Sequence, residues 1–305
     1  MGAVGFESLG EAGRRDIMIK TKIIATLGPS TETEEAIERL MAAGVDVFRM
    51  NFSHGELAWH EKVLERINRV RGRHRHTAAV LGDLCGPKIR TGKIEAGNLL
   101  VNQEVVIWGD ERAGTALEFG TNYPELVADA VVGERLLIND GEIALRVKAK
   151  EPDRLVCVVE RGGPISSGKG INLPDTKVSA PSITPQDWRC AEWAIKHKVD
   201  YLALSFVRSA SDVLALRQRV RETGSEIKVV AKIEKPEAVA DLEAILHASD
   251  AVMVARGDLG VEMDLAEVPL IQKRITSMGR RLGKPVIVAT QMLQSMIANA
   301  TPTRA

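Results

Sequence analysis

The stretch from residue 229 to 260 constrains the fold of this chain more than any other. It reads Val-Val-Ala-Lys-Ile-Glu-Lys-Pro, passes through a helical segment, and resumes as Ala-Val-Met-Val-Ala-Arg-Gly-Asp-Leu-Gly. Each half is an apolar run of strand length that ends in charge, the pattern of two parallel strands joined by a crossover helix. Successive strand side chains point to opposite faces, so Lys232 and Glu234 project to the same side. An ammonium and a carboxylate then share one small volume at a strand end. The next strand delivers Arg256 and Asp258 beside Gly257, where no Cβ keeps a ligand away. Two carboxylates from neighbouring strands suit a hard divalent cation whose other ligands are water and substrate oxygens. Lys232 would face the anion held there. The competing reading is a set of ordinary strand-end ion pairs.

The same rhythm runs through most of the chain. Residues 22–27 form a strand, and Gly28-Pro29-Ser30 turns it into a helix with Thr31 and Glu34 at capping-box spacing. In the next strand, 45–53, alternation turns Met50 and Phe52 toward covering helices and Arg49, Asn51 and Ser53 to the other side. His54 and Gly55 open the following helix, and a third strand over 77–84 carries Asp83 near its end. The rhythm resumes at Thr184-Pro185-Gln186-Asp187, an N-cap threonine with proline at N1 and an early acid. Strands over 201–207 and 285–290 follow, and Gln291 begins another helix. Seven strands alternating with helices predict a (β/α)8 TIM barrel one strand short, with its polar residues at the carboxyl ends where such barrels build sites. An open doubly wound sheet is the alternative. Residues 92–165 have a different texture, short β runs with turns such as Asn139-Asp140-Gly141. They predict a small all-β barrel inserted into the larger one, with a Gly/Ser-rich hinge at 162–170. The expected division is barrel over 1–86 and 178–305, with the inserted domain over 87–177.

Composition limits the partners. The 41 basic and 41 acidic side chains leave no net field to draw the protein to nucleic acid or to an anionic membrane. An anionic substrate must therefore be recognised locally. Cys85, Cys157 and Cys190 lie outside any CxxC spacing, which argues for a reducing, cytoplasmic compartment. No apolar run is long enough to span a bilayer, and the first twenty residues lack the apolar stretch of a secretory signal.

Seven segments, in order, carry a resemblance. They are Lys22-Ile-Ile-Ala-Thr-Leu-Gly-Pro-Ser, Phe48-Arg-Met-Asn-Phe-Ser-His-Gly, Gly86-Pro-Lys-Ile-Arg-Thr-Gly, Lys169-Gly-Ile-Asn-Leu-Pro, Ala231-Lys-Ile-Glu, Val254-Ala-Arg-Gly-Asp-Leu-Gly and Ala289-Thr-Gln-Met-Leu. This ordered set resembles pyruvate kinase from about residue 20 onward. The resemblance implies transfer of the phosphoryl group of phosphoenolpyruvate to ADP, giving pyruvate and ATP in glycolysis. It implies that Glu234 and Asp258 hold Mg²⁺ or Mn²⁺ and that Lys232 and Arg49 lie beside the transferring phosphoryl group. The backbone of Gly257 and Asp258, at the start of a helix, would take the substrate carboxylate. Thr290 would stand near the methylene carbon, positioning or relaying the proton. Asn51, His54 and Arg90 correspond to positions on the nucleotide side, and Lys169 would reach the nucleotide phosphates as the inserted domain closes.

Two departures modify what is expected. Many pyruvate kinases bind K⁺ with residues at the positions of Asn51, Ser53 and Asp83, and carry Glu where this chain has Lys88. A tethered ammonium can supply the charge that K⁺ brings, so K⁺-independent activity is expected. Family members also continue past Pro302-Thr303-Arg304-Ala305, completing the eighth strand and adding a C-terminal domain that carries effector sites and much of a homotetramer interface. Two rival readings remain: an impaired fragment of the same enzyme, and another metal-dependent barrel that cleaves a phosphoenolpyruvate- or pyruvate-related substrate.

Overall fold

The computed structural model describes residues 21–74 and 78–290. Seven strands, Ile24–Thr26, Val47–Asn51, Ala79–Asp83, Tyr201–Leu204, Lys228–Ile233, Ala251–Ala255 and Val286–Ala289, form one sheet in which every neighbour is parallel. Their spatial order is their order along the chain. A doubly wound sheet reverses strand order at a switch point, so the topology excludes it and fits a partial (β/α)8 barrel. The helix expected from Gln291 and the start of the third strand at Thr77 lie outside the described residues. No helix among the described residues is long and apolar enough to cross a membrane.

The period-2 pattern sorts the strand side chains into two layers. Phe48, Met50, Val80, Leu202, Leu204, Val229, Ala231, Ile233, Val252 and Val254 face the helices in the main core. Leu81, Ala203, Val230, Ala251 and Met253 form a separate apolar cluster inside the curl of the sheet, flanked by Val47, Tyr201, Ile287 and Ala289. Continuing each inner set by one or two positions reaches Arg49, Asn51, Asp83, Ser205, Lys232 and Glu234. The inner cluster is therefore the floor on which the strand-end charges stand.

Helix starts follow capping chemistry. Thr184 and Asp187 make a reciprocal capping box at the head of Pro185–Lys196, with Pro185 at its first turn. Such a cap contributes about 1 kcal/mol. At Glu34–Ala42 the cap is Thr33, whose hydroxyl accepts from Ala36 N–H, and not Thr31. Thr31 instead closes the preceding turn, exchanging bonds with Gly28. Two threonines compete for one cap, and the turn takes the first.

Between the third and fourth strands the chain builds a six-stranded sheet with its own apolar core. It is antiparallel except where Glu104–Trp108 pairs with Glu118–Gly120, and one short helix, Leu126–Asp129, lies within the segment. Asn139 and Asp140 turn the chain between Arg135–Ile138 and Ile143–Lys150 with φ of 55° and 53°. The expected hinge at 162–170 is instead knitted into this β segment. Gly163–Ile165 pairs with Gly97–Leu99, and Lys169 N–H donates to Thr91 Oγ1 at 2.9 Å. A Cβ on Gly162 would lie 2.1 Å from the Leu99 carbonyl oxygen, so that glycine serves close packing and not flexibility. On the return side, Arg208 donates to the carbonyls of Val178 and Ala180 and to Ser182 Oγ, while Tyr123 Oη accepts the N–H groups of Ser179 and Ala180. On the outgoing side Gly86 has φ of 69°, and a Cβ there would meet the Phe206 ring at 2.6 Å.

Candidate active site

Lys232 is the hub of the strand-end charges. Its Nζ lies 2.9 Å from Glu234 Oε1, 3.4 Å from Asp83 Oδ1 and 2.7 Å from Ser205 Oγ, to which it donates. Burial alone would lower the ammonium's pKa, but Glu234 and Asp83 outweigh it and hold the pKa above the ordinary lysine value. The group is therefore a fixed positive charge at neutral pH. Glu234 is buried with both oxygens engaged, since Oε2 accepts the Phe206 N–H at 2.6 Å. Phe206 adopts a left-handed backbone, φ 52°, to aim that N–H.

Asp83 bridges two cations. Its Oδ2 accepts from Arg49 Nε at 2.7 Å and lies 2.6 Å from Arg49 Nη2, while its Oδ1 faces Lys232. Arg49 also donates to Thr26 Oγ1 at 2.9 Å and remains a quarter exposed. Of the three residues expected at a monovalent site, Asn51 Oδ1 accepts the Ser53 N–H at 3.1 Å and Asp83 is turned to Arg49 and Lys232. The exposed Lys88 carries its charge near Asp258, whose carboxyl it helps to keep ionised.

Asp258 lies in the first turn of the helix Arg256–Glu262. Burial and the neighbouring Glu234 carboxylate push its pKa up to about 6, with Lys232 and Lys88 partly offsetting them. Two carboxylates that repel one another in a partly desolvated site fit a divalent cation, which would relieve both penalties. Among the described residues no three His, Cys, Asp or Glu side chains gather in a metal cluster. Such a cation would take its remaining ligands from water and substrate.

At the helix N-terminus a side chain from the next strand end holds the Gly257 N–H. Its N-cap, Ala255, has no capping side chain, and Thr290 supplies one from the next strand end by accepting the Gly257 N–H at 2.8 Å. Arg256 in turn donates to the Thr290 carbonyl at 2.8 Å. The Gly257 N–H expected at a substrate carboxylate is thus engaged by Thr290, which has φ of 66°. An uncapped helix end takes the nearest oxygen.

The nucleotide-side candidates form two groups. Arg90 and Lys169 lie on neighbouring stretches of the β segment, where Arg90 forms an isolated antiparallel bridge with Gly170 and donates to Gly168 O at 2.8 Å. Asn51 and His54 stand on the barrel. His54 is exposed, and its carbonyl accepts from the ring of the buried His60 at 2.9 Å. Burial holds His60 below its ordinary pKa, and its Nδ1 has no hydrogen-bond partner. A group whose folded pKa is depressed in this way favours the fold while neutral. Its contribution is full above the unfolded value near 6.5 and lost as pH falls through the window below it. Thermal unfolding measured from about pH 7.5 to 5 should therefore show a steeper acid-side loss for the wild type than for His60→Gln.

Ser205, Phe206 and Thr26 are the residues to which sequence reasoning assigned no role. Ser205 donates to Leu84 O at 2.6 Å and so presents a lone pair to Lys232. Alternation along Tyr201–Leu204, applied as it was along the second strand, places Ser205 on the inner face with Ala203.

The family model described as pyruvate kinase, barrel domain, matches residues 18–305. A protein named pyruvate kinase from Mycobacterium tuberculosis is 48% identical over 286 residues, 93% of this chain and 61% of the relative. The corresponding figures are 45%, 94% and 61% for one from Corynebacterium efficiens, and 43%, 94% and 50% for one from Geobacillus stearothermophilus. The chain thus spans between half and three-fifths of the length of these curated relatives. With the matched family model covering nearly the whole sequence and the strand-end charges in one place, the chain belongs to the pyruvate kinase family.

Proposed function

We propose that the chain provides the catalytic centre of a pyruvate kinase that moves the phosphoryl group of phosphoenolpyruvate to ADP. The observation that carries this reading is Lys232, a buried ammonium fixed among Glu234, Asp83 and Ser205 beside a carboxylate pair that calls for a cation. In the reaction the bond from phosphorus to the enol oxygen breaks, a bond to a terminal ADP oxygen forms, and the enolate carbon takes a proton to give pyruvate. Glu234 and Asp258 would hold Mg²⁺ or Mn²⁺, which when bound neutralises charge on the phosphoryl and substrate oxygens. Lys232 and the exposed edge of Arg49 add fixed positive charge on the transferring group. Thr290, at the seventh strand end, orients the proton delivered to the methylene carbon. Residues 87–177 act as a lid that brings Arg90 and Lys169 toward the nucleotide held by Asn51 and His54. The inserted β domain, cytoplasmic location and homotetrameric assembly of the whole protein belong to this proposal.

Lys88 supplies the charge that K⁺ brings in many relatives, so turnover should be insensitive to replacing K⁺ with tetramethylammonium. Lys88→Glu should create a dependence of about tenfold, the size of one pairwise interaction near a partly exposed site. Wild-type turnover that itself rises severalfold with K⁺ would refute this.

A second reading follows from the share of the relatives' length that the chain spans: turnover needs the longer protein. Pyruvate formation from phosphoenolpyruvate, with and without ADP, in residues 1–305 and in a C-terminally extended chain separates the two. ADP-dependent turnover in residues 1–305 supports the first reading, ADP-dependent turnover confined to the extended chain supports the second, and ADP-independent carbon–carbon cleavage of a larger oxoacid supports a lyase.

A further inference from the structure

A side-chain hydrogen bond ties the far end of the β segment to the barrel beside the strand-end charges. Asn172, at the end of the strand Ile171–Asn172, donates from Nδ2 to Glu262 Oε1 at 2.7 Å. The same oxygen lies 2.8 Å from Lys235 Nζ. Glu262 ends the helix that begins with Arg256 and carries Asp258, and Lys235 directly follows Glu234. The contact therefore sits one helical turn from one proposed metal ligand and one residue from the other. Beside it a cleft of about 60 Å³ is lined in part by Lys88, Asp258, Lys235 and Glu262.

The contact is half satisfied. The Glu262 side chain is 1% exposed, and its second oxygen, Oε2, has no hydrogen-bond partner. The bond from Asn172 is charge-assisted, but the buried, unpartnered Oε2 offsets part of what it contributes. A contact serving only to hold the segment in place would be better made from apolar groups.

We infer that Asn172, Glu262 and Lys235 form the seat on which the β segment rests, and that occupancy of this seat sets the distance from Arg90 and Lys169 to the barrel mouth. These are positioning residues and do not touch the reacting atoms. The seat stands on geometry alone; its consequence for a nucleoside diphosphate rests on the function proposed above.

The test reads distance and kinetics separately. In a Cys85→Ser background, Val101→Cys on the β segment and Leu214→Cys on the barrel, both exposed positions, carry spin labels for pulsed dipolar spectroscopy. Asn172→Asp sets one carboxylate against another and should lengthen the distance and raise KM for ADP about tenfold, with KM for phosphoenolpyruvate unchanged. Asn172→Ala, which adds no charge, should shift both in the same direction by less. Asn172→Asp combined with Glu262→Gln restores an amide–carboxylate pair with its polarity reversed and should return both readouts toward wild type. An unchanged distance in both single variants, or a distance that stays long in the double variant, would overturn the seat. A distance that still responds while neither residues 1–305 nor the C-terminally extended chain shows ADP-dependent turnover would overturn the kinase reading and leave the seat intact.

Discussion

On the proposed function, Lys232→Met should lower ADP-dependent pyruvate formation by about 10³-fold, the loss seen when one fixed donor to developing charge is removed from a desolvated site. Methionine keeps the length and most of the volume of the side chain, so packing over Val230 and Met253 changes little. The charge balance does change. Glu234 and Asp83, both 1% exposed, lose the cation that lies between them. Removing one partner from a buried ionic network costs about 3–5 kcal/mol. Arg49 retains Asp83, so the penalty falls mainly on Glu234. Turnover and denaturant unfolding measured on the same preparation separate the two effects. A variant that keeps near-normal turnover would remove Lys232 from the chemistry. Ser205→Ala deletes one acceptor for Lys232 and one donor to the Leu84 carbonyl but no charge, and should cost less, about 2 kcal/mol in stability.

Glu234→Gln gives the second large effect, for a reason specific to this site. One carboxylate oxygen faces the Lys232 ammonium at 2.9 Å and the other the Phe206 N–H at 2.6 Å. A carboxylate accepts at both oxygens, whereas an amide accepts at one atom and donates at the other. Whichever way the new amide turns, a donor meets a donor. The variant should therefore lose about 10²-fold in Mn²⁺ affinity through disturbed ligation, within the range for disrupted metal sites, and should also unfold at lower denaturant. Electron paramagnetic resonance of free Mn²⁺ measures the first loss. Unaltered affinity would place the cation elsewhere.

Much of this site was legible from the period of the strands alone. The expectation that Lys232 and Glu234 share a face rests on a repeat of two residues, which a buried parallel strand enforces. The same rule separates Arg49 from Met50. What it could not provide was partnership. Asp83 was legible as a strand-end acid, yet its choice of Arg49 and Lys232 depends on the curl that brings the second, third and fifth strands to one centre. Thr290 was legible as a hydroxyl at a strand end, but its role as a cap arises because Ala255, a whole βα unit earlier, cannot cap its own helix. Gly162 shows the opposite failure. Composition suggested a flexible hinge, whereas Gly162 is small because the Leu99 carbonyl passes beside it. Glycine has several physical uses, and local sequence does not distinguish them.

A Mn²⁺ titration of the purified chain, followed by electron paramagnetic resonance with and without phosphoenolpyruvate, tests the central arrangement most directly. In the proposed arrangement cation and phosphoryl group share one centre, so one Mn²⁺ should bind per chain, more tightly when phosphoenolpyruvate is present, and Asp258→Asn should remove that enhancement. Equal affinity in Asp258→Asn and wild type, or no response to phosphoenolpyruvate, would contradict a cation held at the mouth of the barrel opposite Lys232.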